Sequence, residues 1–187
     1  MRISSVFVLV FVAVSVPLMA AAPAHARNVI VVDGTGNGGR VLQAPEIQPG
    51  DTVTQVQYPA SVVRPTYDQS VAAGTVALRA ALVNAPDDTL VIGYSQGARI
   101  VGDVLSEPQN ARLSGVLYSD PRQFGTGVET KVVLPEALGA TMTGERQKFT
   151  VPVETKCISA DGVCDWRTDD PVGSIIGYLE THTTYFG

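Results

Sequence analysis

The chain has 187 residues, 45% of them hydrophobic, with 13 basic residues against 18 acidic ones and a formal net charge of −5. An acidic chain without a basic cluster argues against nucleic-acid binding and against docking on anionic membrane by charge alone. The length fits one domain with a substantial core.

Met1-Arg2-Ile3-Ser4-Ser5 makes a short basic start, residues 6–16 are apolar, and Ala24-His25-Ala26 has the A-x-A spacing of a cleavage site. This pattern predicts a secretory signal peptide over residues 1–26 and a single domain over residues 27–187. An uncleaved anchor is the competing reading. However, the apolar run is about half of the roughly 20 residues a spanning helix needs, and Pro17 interrupts its continuation. His25 falls inside the leader, so any histidine chemistry of the domain must use His182.

Asn28-Val29-Ile30-Val31-Val32-Asp33 is a β-branched run of the kind found in parallel strands covered on both faces. Gly34, Gly36 and Gly39 come next with G-x-G-x-x-G spacing, which raises a dinucleotide site. Pro45, Pro49 and Gly50 break the helix such a site requires, and Tyr58-Pro59 stands where an acidic residue should end the second strand. The loop has another use, because a β–α loop beside a nucleophile can donate an N–H to an oxyanion; Thr35 is the candidate donor. Residues 51–58 read as a polar edge strand. Thr66-x-x-Gln69 resembles a capping box, and Val71, Thr75, Leu78 and Leu82 continue as an amphipathic helix that stops before Pro86.

Residues 89–93 read as a buried strand running into Gly93-Tyr94-Ser95-Gln96-Gly97, a G-x-S-x-G sequence. A serine on a sharp strand-to-helix turn is strained, and neighbouring backbone passes so close that only glycine is tolerated two positions to either side. A helix from Gln96 to about Leu105 aims its unpaired N–H groups at the same spot, where they can stabilise an oxyanion. Residues 115–119 form another short strand ending at Asp120-Pro121, residues 124–145 read as a Gly-, Thr- and Pro-rich loop flanking a cleft, and residues 148–153 carry the last strand.

The two cysteines, Cys157 and Cys164, are expected to pair in an exported chain. Zinc is the alternative, but two cysteines and His182 are a poor ligand set. Asp161 lies inside that loop. The order Ser95, Asp161, His182 is the order α/β-hydrolases use: the hydroxyl needs a histidine to take its proton, and the histidine needs an acid to fix its tautomer. Asp165 and Asp120 are the alternative acids.

Gly93-Tyr94-Ser95-Gln96-Gly97, the Cys157-x-x-x-Asp161-x-x-Cys164 loop, and His182 with Tyr185 resemble the cutinase-like serine esterases. Val32-Asp33-Gly34-Thr35-Gly36-Asn37-Gly38, Tyr58-Pro59-Ala60-Ser61 and Asp120-Pro121 resemble more narrowly the PE-PPE domain, an actinobacterial branch of those hydrolases. The resemblance covers nearly the whole chain after the leader. It implies an α/β-hydrolase fold with a mostly parallel five-stranded sheet flanked by helices and a triad of Ser95, Asp161 and His182. It also implies an oxyanion hole from the N–H groups of Gln96 and Thr35, no cofactor or metal, and lipid-like acyl ester substrates. A terminal helix with which relatives cover the site is expected to be short or missing here. A catalytically impaired envelope-binding module of the same fold, and an acyltransferase, are the alternative functions.

Overall fold

The structure, a computed structural model, describes residues 26–36, 42–109 and 112–186. The predicted leader therefore lies, apart from Ala26, outside the described residues, and so does Gly39.

The elements run β1 (Asn28–Val32), β2 (Thr52–Gln55), α1 (Tyr67–Leu82), β3 (Thr89–Tyr94), α2 (Gln96–Leu105), β4 (Leu113–Tyr118), α3 (Val128–Lys131), β5 (Val153–Lys156) and α4 (Pro171–Glu180). The strands form one sheet in the order β2-β1-β3-β4-β5, and every pair is parallel. The order reverses between β1 and β3, and open α/β sheets place their ligands at the carboxyl ends of strands beside such a switch point. Both strands end there: Val32 pairs with Gly93 in register, so the Gly34 loop and the Ser95 turn leave the sheet side by side.

The β-branched runs of β1 and β3 are buried on both faces, as a covered parallel sheet requires. Ile30, Val32, Val91 and Leu117 face α1 and α2, where Leu78, Ile100 and Leu105 close the larger core. Val29, Val31, Ile92, Val116 and Tyr118 face the other way and are met by Leu42, Ala44, Tyr185 and Phe186. The capping box of α1 is present: Gln69 N–H donates to the Thr66 hydroxyl, and the Gln69 side chain accepts from Thr66 N–H.

Four features depart from the sequence reading. The last strand begins at Val153, later than expected, because Phe149 and Val151 pack on the α1/α2 core as irregular chain while Thr150 N–H bonds to Leu105 C=O. Pro152 has no N–H for a ladder, so pairing with β4 starts one residue later, at Gly115 opposite Val153. The edge strand β2 is shorter than residues 51–58; Tyr58 has already turned away to donate its hydroxyl to Asp33 C=O. β4 starts earlier and stops at Tyr118, leaving Ser119 outside it.

The fourth departure is α4, which the sequence reading did not place. Pro171 opens it and the Asp170 carboxylate caps it by accepting from Gly173 N–H. Its apolar residues Val172, Ile175, Ile176 and Leu179 recur at i, i+3, i+4 and i+7, a helical spacing, but the stripe they form points outward and not into the core. No helix comes after His182 among the described residues, and Tyr185 and Phe186 pack into the second core in its place. No helix among the described residues is long and apolar enough to cross a membrane.

Candidate active site

Ser95 caps α2 with φ 55° and ψ −121°, a conformation a non-glycine residue adopts only under constraint. The constraint is visible at the flanking glycines. A Cβ on Gly93 would sit 2.7 Å from the Ala98 Cα and the Gly97 carbonyl oxygen, and one on Gly97 would overlap the Val32 carbonyl. Ser95 N–H is held by Tyr118 C=O at 2.9 Å, and the Ser95 carbonyl accepts from Arg99 N–H at 3.0 Å. Gln96, next to it, is buried and locked by its side chain: its amide donates to Ser61 C=O at 3.0 Å and accepts from the Ser70 hydroxyl at 2.9 Å. Thr35 leaves β1 beside this turn and lines the clefts on both sides of Ser95.

The structure brings Ser95, His182 and Asp161 together. His182 Nε2 lies 2.9 Å from Ser95 Oγ, and Nδ1 lies 3.0 and 3.2 Å from the two Asp161 oxygens. A carboxylate accepts only, so the imidazole proton belongs on Nδ1 and Nε2 is left to accept from the Ser95 hydroxyl. Such a chain can move a proton from hydroxyl to imidazole. His182 is further fixed by Tyr94, which stacks on the ring at 5.1 Å and donates its hydroxyl to the His182 carbonyl at 2.5 Å, and by Tyr178 on α4 at 5.1 Å.

Asp161 is fully buried and accepts from more than the imidazole. Val163 N–H donates to Oδ1 at 3.0 Å, Tyr185 OH donates to Oδ2 at 2.8 Å, and the Ser119 hydroxyl also donates to Oδ2. Burial alone would raise its pKa. The bonds from His182, Ser119 and Val163 outweigh that and hold the carboxyl below its ordinary value, so it is charged when the imidazole needs it. Cys157 and Cys164 form a disulfide that closes the loop around it.

The two alternative acids are occupied elsewhere. Asp120, nearly fully buried, is gripped by both terminal nitrogens of the Arg146 guanidinium and by Arg122 N–H. Asp165 accepts from Ala160 N–H at 2.8 Å, bracing the turn that carries Asp161. Among the described residues no group of three or more His, Cys, Asp or Glu side chains could hold a metal.

Sequence reasoning missed Ser119. It sits just past β4 with a positive φ of 52°, is completely buried, and places its hydroxyl 2.8 Å from His182 Nδ1 as well as on Asp161. Since its only proton goes to the carboxylate, it accepts from the imidazole N–H. Its position at the carboxyl end of a buried strand was the available signal, but the neighbouring Asp120 drew it. Tyr185 marks the resemblance without its role being legible: its hydroxyl accepts from Ile158 N–H at 2.8 Å while donating to Asp161, which ties the disulfide loop to the acid.

A parallel sheet with a serine on a constrained strand-to-helix turn, facing a histidine carried behind the last strand, defines an α/β-hydrolase fold. The cutinase family model matches residues 20–186, and the chain belongs to the cutinase family, whose members are generally carboxylic ester hydrolases. No curated protein matches the chain. Among solved structures it is similar to a cutinase-like protein from Cryptococcus sp., with 20% identity over 82% of this chain and 91% of that one, and a TM-score of 0.47.

Proposed function

We propose that the protein is an exported serine esterase that cleaves acyl esters through an acyl-enzyme on Ser95. Ser95 Oγ attacks the ester carbonyl as His182 Nε2 takes its proton; the C–O bond then breaks and His182 returns the proton to the departing alcohol. Water, deprotonated by His182, attacks the acyl-enzyme and releases the acid. Asp161 keeps the imidazole in the Nδ1–H tautomer and stabilises the imidazolium. The backbone N–H groups of Gln96 and Thr35 hold the oxyanion. Every step uses only groups of the chain and water.

The observation that carries this reading is the unbroken line of contacts from Ser95 Oγ to His182 Nε2 at 2.9 Å and from Nδ1 to Asp161 at 3.0 Å, on a turn whose serine has a positive φ. The leader pattern and the disulfide support export, and the narrower resemblance to the PE-PPE domain supports a place in an actinobacterial envelope. The test is hydrolysis of p-nitrophenyl esters of increasing acyl length by the purified protein, beside Ser95→Ala and His182→Ala. Each variant is expected to lose activity by about 10⁴-fold or more. Equal rates for wild type and Ser95→Ala overturn the proposal, and leave the envelope-binding module as the reading of the fold.

A further inference from the structure

Helix α4 packs on the molecule with its smallest residues. Its apolar stripe faces outward, and the residues it buries are Ser174 and Gly177. These two meet the loop that carries Asp161. A Cβ on Gly177 would overlap the Ala160 carbonyl, and one on Gly162 would overlap the Ser174 carbonyl, so helix and loop interlock through backbone at two adjoining points. Glycine weakens a helix relative to alanine, and this close approach is the reason for one in the second half of α4. The carbonyl of the same Gly177 accepts from Thr181 N–H at 2.8 Å and from His182 N–H at 3.1 Å.

Resting on the esterase reading, we propose that Gly177 is a positioning residue that sets the spacing of Asp161 and His182. Ala160 immediately precedes the acid, and its carbonyl stands where a Cβ of Gly177 would be; His182 hangs from the Gly177 carbonyl. Acid and base, 21 positions apart in the chain, thus take their separation from one residue. Side chains elsewhere orient them: Ser119 and Tyr185 hold the carboxylate, and Tyr94 stacks on the ring. None of those contacts runs from α4 to the acid loop, and the Cys157–Cys164 bridge closes that loop on itself. A methyl group at residue 177 pushes the acid turn away from the helix that carries the base, and the 3.0 Å contact between Nδ1 and Asp161 lengthens. Misplacement by about 1 Å can cost up to about 10²-fold in rate.

The experiment compares Gly177→Ala with Gly173→Ala. Both remove a glycine from the same helix, but the nearest atoms to a Cβ on Gly173 all belong to the Asp170 side chain, so that variant disturbs the cap of α4 and not the acid loop. On p-nitrophenyl butyrate, per folded molecule, Gly177→Ala should lower kcat about tenfold or more with KM within about twofold of wild type, and Gly173→Ala should keep both within about twofold. A raised KM with kcat kept places the effect in the cleft and overturns the proposal. So does an equal loss of kcat in both variants, or a wild-type kcat in Gly177→Ala.

If Gly177→Ala does not fold, amide hydrogen exchange of the unsubstituted protein decides. Val163 N–H bonds to the acid and His182 N–H to the Gly177 carbonyl, so the two should have matching protection and lose it together as urea is added. Protection of either one that outlasts the other overturns the joint. If wild type shows no Ser95-dependent hydrolysis, the esterase reading fails, and the exchange result still decides whether acid loop and base move as one unit.

Discussion

Ser95 and His182 meet at 2.9 Å, yet different physics holds each of them. Ser95 is placed by backbone. A strand paired on both sides, a turn with no room for a Cβ at Gly93 or Gly97, and a helix packed on the sheet leave its main chain one path. His182 and Asp161 are placed chiefly by side chains: a disulfide, a ring stack on Tyr94, and hydroxyls from Ser119 and Tyr185, the residues they hold lying outside the strands and helices. The first kind of support fails all at once when one atom is added. The second is divided among several contacts and should fail in portions.

The largest effect expected on the fold is therefore from one methyl group. Gly97→Ala puts a Cβ onto the Val32 carbonyl at the sheet's switch point, an overlap with backbone that no rotamer relieves, and should destabilise by about 3 kcal/mol or more. Urea unfolding and the yield of folded protein check it. Asp161→Asn keeps the shape of the acid but presents the wrong hydrogen-bonding groups to Nδ1, and should lower kcat by about 10⁴-fold with a native circular-dichroism spectrum. The same variant tests the depressed carboxyl pKa. A group with a lower folded pKa stabilises fully above its unfolded value, about 3.9, and that stability is lost as pH falls through the folded one. The stability gap between wild type and Asp161→Asn should accordingly narrow in denaturant titrations as pH falls below about 4.

Smaller effects sharpen the contrast. Replacing Cys157 and Cys164 by serine should cost roughly 2–3 kcal/mol by the loop-entropy model, while lowering activity by more than the loss of folded protein explains, because the bridge braces Asp161. Ser119→Ala removes one of several donors to the acid and one acceptor of the imidazole proton. It should lower kcat about tenfold, or about 1.4 kcal/mol, and leave KM unchanged. Thr66→Ala, at the cap of α1 and outside the triad, should cost about 1 kcal/mol of stability through the lost cap and little activity per folded molecule.

The same contrast explains what was legible in the amino-acid order. The nucleophile turn could be read because its requirements are local: glycines two positions to either side, a β-branched strand before and an apolar helical spacing after. The parallel sheet was legible from the same runs. Asp161 could be singled out only as one of three acids, because what distinguishes it from Asp120 and Asp165 is the set of donors that other segments bring to it. Ser119 and Tyr185 act across 42 and 24 residues of separation, and no local pattern marks a serine or tyrosine for such a task. α4 was overlooked although the Asp170-Pro171 start and the helical spacing of Val172, Ile175, Ile176 and Leu179 stand in the sequence, and the start of β5 was misplaced because Phe149 and Val151 are core residues without being strand residues.

The separation of 87 positions from Ser95 to His182 also sets an order in time. A growing chain completes the strands and helix that shape the serine turn long before the histidine is made. Until residue 182 has been synthesised, the Ser95 hydroxyl has no imidazole beside it. Closure of the disulfide loop needs an oxidising compartment. An unfinished chain thus holds the serine turn before the imidazole that it meets in the folded molecule exists.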